Sequence, residues 1–205
     1  MSREPIMATL SDEPLLIPVV LGSIRRNRRS YWPARLLAER VAAAGHRTEL
    51  IDLRQLRLPL YDEEEESEQH EGVAILRRLM AQSDASIWLS PEYNHSFTSA
   101  IKNAIDYLDA ELRRKPIAAC GLSGGALGGV RASEALKTVL IELHAVPIRE
   151  SVHFTQAREL FDPDGTLRRP EFVARIDYMV ADLAWYARAL RWGREHLPLP
   201  ERPRR

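Results

Sequence analysis

Ile17-Pro18-Val19-Val20-Leu21-Gly22-Ser23-Ile24-Arg25-Arg26-Asn27-Arg28-Arg29-Ser30 is an apolar run of strand length that stops at a glycine and passes into a basic, hydroxyl-rich loop. Tyr31 to Ala44 follows, with Ala34, Leu37, Val41 and Ala44 on one helical face and Arg35, Glu39 and Arg40 elsewhere. The pattern is a buried strand, a loop and an amphipathic helix. Pro33 is tolerated in the first turn, and Gly45 stands where a helix C-cap is expected.

The same alternation continues outward. Thr48 to Leu53 is expected as strand two, Ala85 to Leu89 as strand three ended by Pro91, Pro116 to Leu122 as strand four and Val146 to Val152 as strand five. Helices are expected at Val73 to Ala81, Ser99 to Leu112, Arg131 to His144 and Phe172 to Trp192. Arg54 to Glu71 has no period, and its acidic run Asp62 to Glu66 is expected as a solvated loop, because like charges repel and favour water. Strands that alternate with helices imply a parallel sheet covered on both faces, with right-handed crossovers. The expected fold class is α/β: a flavodoxin-like three-layer sandwich around a five-stranded parallel sheet, order 2-1-3-4-5. One domain is expected over residues 15–196, between flexible tails at 1–14 and 197–205.

The last helix carries two apolar sets. Val173, Ile176, Val180, Leu183, Ala187 and Leu190 form one stripe; Tyr178, Ala181, Trp185 and Trp192 form another on a different face. A helix apolar on two sides should bury both. The second set implies either an oligomer contact or an aromatic plug for the domain itself.

Composition narrows the function classes. Lys plus Arg equals Asp plus Glu at 29 each, so the chain lacks the basic excess of a nucleic-acid binder and the strongly acidic face of a charge-steered carrier. The single Cys120 forms no intrachain disulfide; mid-strand beside alanines, it is expected as a buried, inert thiol. The 6 His show no zinc-ligand spacing. No apolar run reaches the roughly 18–20 residues of a membrane span. The first residues do not resemble a secretory signal, so a cytoplasmic location is expected.

In an open parallel sheet, ligands sit beyond the carboxyl ends of the strands where strand order reverses. The loops after strands one, three and four are therefore decisive. In the first, Gly22 permits a close turn, Ser23 and Ser30 offer hydroxyls, and Arg25 and Arg28 can grip a phosphate in a fork beside a helix N-terminus. It has neither the Gly-Lys-Ser/Thr of a nucleotide triphosphate loop nor a Gly-x-Gly-x-x-Gly fingerprint, so a phosphate monoester suits it better than a pyrophosphate. The second, Ser90-Pro91-Glu92-Tyr93-Asn94-His95-Ser96, is a polar turn whose backbone could read the edge of a planar heterocycle while Tyr93 packs on a face. His95 has no sequence-evident partner and is expected as a surface or helix-entry histidine. The third, Leu122-Ser123-Gly124-Gly125-Ala126-Leu127-Gly128-Gly129, removes Cβ atoms where something flat could approach the backbone.

On these residues the chain resembles the NADPH-dependent FMN reductase family, the flavodoxin-like group that includes quinone, azo-compound and chromate reductases. The matching stretches are Gly22-Ser23-Ile24-Arg25 with Arg28 and Ser30; Leu58-Pro59-Leu60-Tyr61-Asp62; Pro91 to Ser96 running into Ile101-Lys102-Asn103-Ala104-Ile105-Asp106; and Ser123-Gly124-Gly125 and Gly128-Gly129 with Arg131-Ala132. The resemblance implies that Ser23, Arg25, Arg28 and Ser30 hold the FMN phosphate. Pro91, Glu92, Tyr93 and Asn94 would line the ribityl chain and ring, and Ser123, Gly124 and Gly125 would meet the ring's polar edge. It implies NADPH or NADH as co-substrate, a small-molecule electron acceptor, and a homodimer or homotetramer. Many relatives carry proline where Thr98 stands, a departure at the entry to the helix from Ser99. Lys102 and Asp106, four apart, are expected as a surface or interface ion pair rather than catalytic groups.

The expected activity is an FMN-dependent NAD(P)H oxidoreductase working by ping-pong hydride transfer to a quinone, flavin, azo compound or metal oxyanion. No catalytic acid, base or metal ligand is assigned, since the cofactor carries the hard chemistry. The alternatives are a non-enzymatic electron carrier or redox sensor on the same fold, a flavin-free enzyme of phosphorylated sugars or nucleotides, and a DNA-binding regulator, for which no recognition helix is evident.

Overall fold

A computed structural model of the chain describes residues 13–198. The tails expected at 1–14 and 197–205 lie outside the described residues except for Glu13, Pro14, Leu197 and Pro198.

Among the described residues there are six strands, β1 (Val19–Leu21), β2 (Leu50–Asp52), β3 (Ser86–Pro91), β4 (Pro116–Leu122), β5 (Val146–Pro147) and β6 (His153–Phe154), and every pairing between them is parallel. The order is β2-β1-β3-β4-β5, with β6 also pairing with β4. The helices are α1 (Tyr31–Ala43), α2 (Leu53–Leu56), α3 (Glu65–Glu68), α4 (Glu71–Gln82), α5 (Ser99–Asp106), α6 (Val130–Glu142) and α7 (Glu171–His196). This is the expected flavodoxin-like α/β sandwich.

The alternation of side chains along each strand divides the core. Val19, Leu21, Ile87, Leu89, Ala118, Cys120 and Leu122 face α1 and α7, meeting Leu37, Val41, Ile176, Val180 and Leu183. Val20, Ile51, Trp88, Ile117 and Ala119 face the other way, against Leu76 and Met80 of α4, Ile101 and Ile105 of α5, and Leu136 and Leu140 of α6. Strands buried on both faces explain why they are continuous apolar runs in the sequence. Cys120 is fully buried, its Sγ 3.5 Å from Met179 Sδ, and burial pushes its thiol up to about 12.

Four departures from expectation have a local reason. The stretch after β2 is not wholly irregular: the Asp52 carboxylate caps α2 by accepting from the Arg54 N–H at 3.0 Å, and buried Leu53 anchors that turn. Glu64 to Glu66 lead into α3, where carboxylates suit a helix N-terminus, although the acidic run itself is exposed. The helix from Ser99 ends at Asp106 because the Glu111 carboxylate takes the Asp109 N–H at 2.9 Å; a short 3-10 turn, Ala110–Leu112, follows. Strand five is broken into β5 and β6. The Ile148 N–H still donates to the Ile117 carbonyl at 2.9 Å; the chain then bends away at Arg149 and rejoins β4 where Gly121 donates to the Val152 carbonyl at 3.0 Å.

Thr98 makes two bonds that a proline there could not make. Its Oγ1 donates to the Gly22 carbonyl at 2.7 Å and caps α5 by accepting from the Ile101 N–H at 3.3 Å. The entry to α5 is thereby tied to the exit of β1. Thr98→Ala removes both, and is expected to lower stability by about 1–2 kcal/mol, measured as a shift in the urea unfolding midpoint.

Candidate active site

The ends of β1, β3 and β4 open onto a cleft of about 550 Å³. Its first wall depends on Gly22. A Cβ there would lie 2.2 Å from Ile101 Cδ1 and 2.9 Å from the Leu89 carbonyl oxygen, while the Gly22 N–H donates to that same carbonyl at 3.0 Å. The chain leaves β1 pressed against β3 and α5.

Beyond it, the buried Ser23 hydroxyl and the Tyr93 hydroxyl share a hydrogen bond of 3.0 Å, and the Arg25 guanidinium lies 5.1 Å from the centre of the Tyr93 ring. Arg28 reaches across to the Asp52 carboxylate with Nη2, in a pair whose side chains are 10% and 3% exposed. Its Nη1 is buried without a hydrogen-bond partner. So is the hydroxyl of Ser30, the residue that precedes α1 and makes no side-chain cap. Two buried, unsatisfied groups at one helix N-terminus are costly unless something accepts from them, at about 1–3 kcal/mol each.

The second loop is a tight hairpin-like turn. Tyr93 and Ser96 exchange backbone hydrogen bonds at 3.0 and 3.1 Å, with Asn94 and His95 at φ of 51° and 67° between them. Positive φ at both central positions is the signature of a type I′ turn, and asparagine tolerates it well. Asn94 and His95 stand exposed at the tip. Glu92 points back: its Oε1 accepts from Arg131 Nη1 at 3.0 Å, and its buried Oε2 has no partner. This ion pair joins the second loop to the first turn of α6.

The glycines of the third loop divide into two kinds. A Cβ on Gly124 would meet nothing within 4 Å, and one on Gly125 would only touch Ser123 Oγ at 4.0 Å. Gly128 and Gly129 have φ of 60° and 82°, and a Cβ there would lie 2.7 Å from the His153 carbonyl carbon and 2.4 Å from the Leu122 nitrogen. The expectation that all of them admit a flat ligand is therefore corrected: Gly128 and Gly129 serve packing inside the protein, and only Gly124 and Gly125 leave open space. Behind them, His153 Nε2 is 2.8 Å from Ser133 Oγ, and burial, aided by Lys137, lowers the imidazole's pKa.

Nine of the anticipated residues line the cleft together: Ser23, Arg25, Arg28 and Ser30; Pro91, Glu92 and Tyr93; Ser123 and Gly124. Asn94 and Gly125 do not. The turn lifts the first to an exposed tip, and Gly125 is one step past the wall, its carbonyl accepting from the Gln156 N–H at 3.2 Å. Sequence reasoning left out Arg26, Asn27, Arg29, Leu122, Ala157 and Arg158, which also line it. Ala157 and Arg158 follow β6, and the Ala157 N–H donates to the Ser123 carbonyl at 3.0 Å. The loop after the fifth strand position reaches the same rim, which reading only the first, third and fourth loops overlooked.

The Leu58 to Asp62 stretch is held at the side of this region by α5. Asn103 accepts from the Tyr61 N–H at 2.8 Å and donates to the Pro59 carbonyl at 2.7 Å. Lys102 and Asp106 form the anticipated exposed ion pair at 2.5 Å.

Residues 15–159, more than half of the chain, match the NADPH-dependent FMN reductase family. The chain belongs to that family. It is 31% identical over 172 residues to a quinone reductase of Pseudomonas putida, covering 78% of this chain and 90% of that protein. It is 32% identical over 135 residues to an NADPH azoreductase of a Bacillus species, covering 65% of this chain and 73% of the relative. Among solved structures it is similar to FerB, a flavoenzyme NAD(P)H:(acceptor) oxidoreductase from Paracoccus denitrificans, with a TM-score of 0.72 and 25% identity over 85% of this chain and 98% of that one. The protein is thus an NAD(P)H-dependent oxidoreductase with FMN as cofactor. The residues present fit that group: the unsatisfied Arg28 Nη1 and Ser30 Oγ match a phosphate, and the open backbone at Gly124 matches a flat ring.

The two kinds of glycine separate experimentally. Gly129→Ala is expected to cost about 3 kcal/mol through overpacking and a left-handed backbone, whereas Gly124→Ala should stay within about 0.5 kcal/mol. Urea unfolding of the cofactor-free protein reads both.

Proposed function

We propose that this reductase binds FMN in the 550 Å³ cleft and passes electrons from NAD(P)H to a small acceptor, a quinone, flavin, azo compound or metal oxyanion, in a ping-pong cycle. The observation that carries the reading is the pair of buried, unpartnered donors, Arg28 Nη1 and Ser30 Oγ, at the N-terminus of α1. A phosphate monoester supplies the missing acceptors, and the helix dipole favours its charge.

In this reading Ser23, Arg25, Arg28 and Ser30 hold the phosphate. Pro91, Glu92 and Tyr93 line the ribityl chain and ring, and Ser123 with Gly124 meets the ring's edge. Bound FMN supplies two-electron hydride acceptance and onward electron transfer. The chain's own work is placement. Asp52 fixes Arg28, Arg131 fixes Glu92, and Thr98 fixes the backbone at Gly22. Nicotinamide and acceptor would take turns in this one cleft.

Self-association belongs to the same reading. Tyr178 and Trp185 on α7 are 64% and 65% exposed, so the second apolar set does not plug the domain's own end. Apolar surface of that kind gains by being covered with a second copy.

The deciding measurement is the absorbance spectrum of purified protein after addition of FMN, followed by NADPH under anaerobic conditions. Bound flavin bands that bleach within a turnover are expected, with parallel double-reciprocal plots when an acceptor is varied. Bound flavin that stays oxidised would make the protein a carrier or sensor, and no bound flavin would overturn the reading of the cleft. Intersecting plots would remove the ping-pong order. By light scattering the wild type is expected as a dimer or tetramer that Trp185→Glu weakens toward monomer; a monomeric wild type would remove self-association.

A further inference from the structure

A second cleft, of about 750 Å³, adjoins the first and shares Asn27, Arg28, Arg29, Ala157 and Arg158 with it. It adds the aromatic surfaces of Trp32 and Phe161 and the Arg168–Asp162 pair. Its charge is unbalanced. Arg28 is matched by Asp52 and Arg168 by Asp162, but Arg29 and Arg158 have no carboxylate partner among the described residues. Both are exposed, one on the loop after β1 and the other on the segment after β6. Two uncompensated guanidiniums on facing segments, beside two aromatic side chains, describe a site for a doubly charged phosphate attached to a flat heterocycle.

FMN has one phosphate, and the first cleft already provides for it with Arg28 Nη1, Ser30 and the end of α1. A second phosphate held by Arg29 and Arg158 would belong to another ligand that enters the same continuous space. NADPH differs from NADH by one phosphate on its adenosine ribose, and its nicotinamide end must reach the first cleft. We propose that Arg29 and Arg158 bind this adenosine phosphate, with Trp32 and Phe161 forming the wall for the adenine, so that these two arginines set a preference for NADPH over NADH. The assignment rests on the reductase reading above.

Arg29→Ala and Arg158→Ala test it in the FMN-loaded protein. With either variant, kcat/KM for NADPH is expected to fall about tenfold further than kcat/KM for NADH, the size of one lost charge-assisted contact. Calorimetric titration with 2′,5′-ADP, and with 5′-AMP as the probe lacking the 2′-phosphate, gives a readout that does not depend on turnover. Wild type should bind 2′,5′-ADP about a hundredfold more tightly than 5′-AMP, and each single variant only about tenfold more tightly. Equal binding of both probes by wild type, or equal losses with NADPH and NADH, would overturn the proposal. A fall in FMN affinity in the variants, read by flavin fluorescence, would also overturn it by assigning these arginines to the flavin phosphate. If the wild type retains no FMN, the reductase reading fails on its own, and the same titration on the cofactor-free protein still decides this site.

Discussion

Everything at the rim depends on the space denied to a side chain at Gly22. The backbone there runs against the Leu89 carbonyl and the Ile101 side chain, and no Cβ fits between them. The close approach lets Thr98 reach the Gly22 carbonyl, so the first loop, the end of β3 and the start of α5 form one rigid unit. Ser23 follows immediately, and its hydroxyl meets Tyr93 of the second loop. A displacement of Gly22 would be passed directly to both, because packed cores transmit strain rather than absorb it.

Around that unit, polar groups are held in place by partners that leave part of their capacity unused. Arg28 spends one nitrogen on Asp52 and keeps another buried and unpaired; Glu92 spends one oxygen on Arg131 and keeps the other. Burying such groups unsatisfied opposes folding. Proteins keep them where a ligand completes the set, and three such atoms, Arg28 Nη1, Ser30 Oγ and Glu92 Oε2, belong to residues lining this one cleft. Orientation is fixed in advance, so binding does not have to order these side chains.

Much of this was legible in the sequence because the relevant signals are local. An apolar run ending in Gly22, arginines beside a helix start, and glycines after Leu122 each point to the rim of a parallel sheet, and nine of the expected residues do meet there. What escaped depends on which distant segments become neighbours. Nothing near Arg28 in the chain announces Asp52, and nothing near Arg158 announces Ser123. The break in the fifth strand comes from a bend at Arg149, after Ile148 has bonded β4, and the early end of α5 from one carboxylate, Glu111, that captures a backbone donor. The two roles of the third loop's glycines are set by whether His153 and β4 press on them, which composition does not encode.

The clamp between Asn103 and the backbone of Pro59 and Tyr61 has an evolutionary consequence. Because the side chain of α5 grips main-chain atoms at 2.7 and 2.8 Å, the position of that loop does not depend on the residue between them. Leu60 sits there with 81% of its surface exposed, beside the apolar and basic hollow formed with Ile24, Arg54 and Arg57. Drift at position 60 can therefore alter what this flank of the rim attracts while the scaffold beneath it stays still, which separates the history of substrate range from the history of the fold.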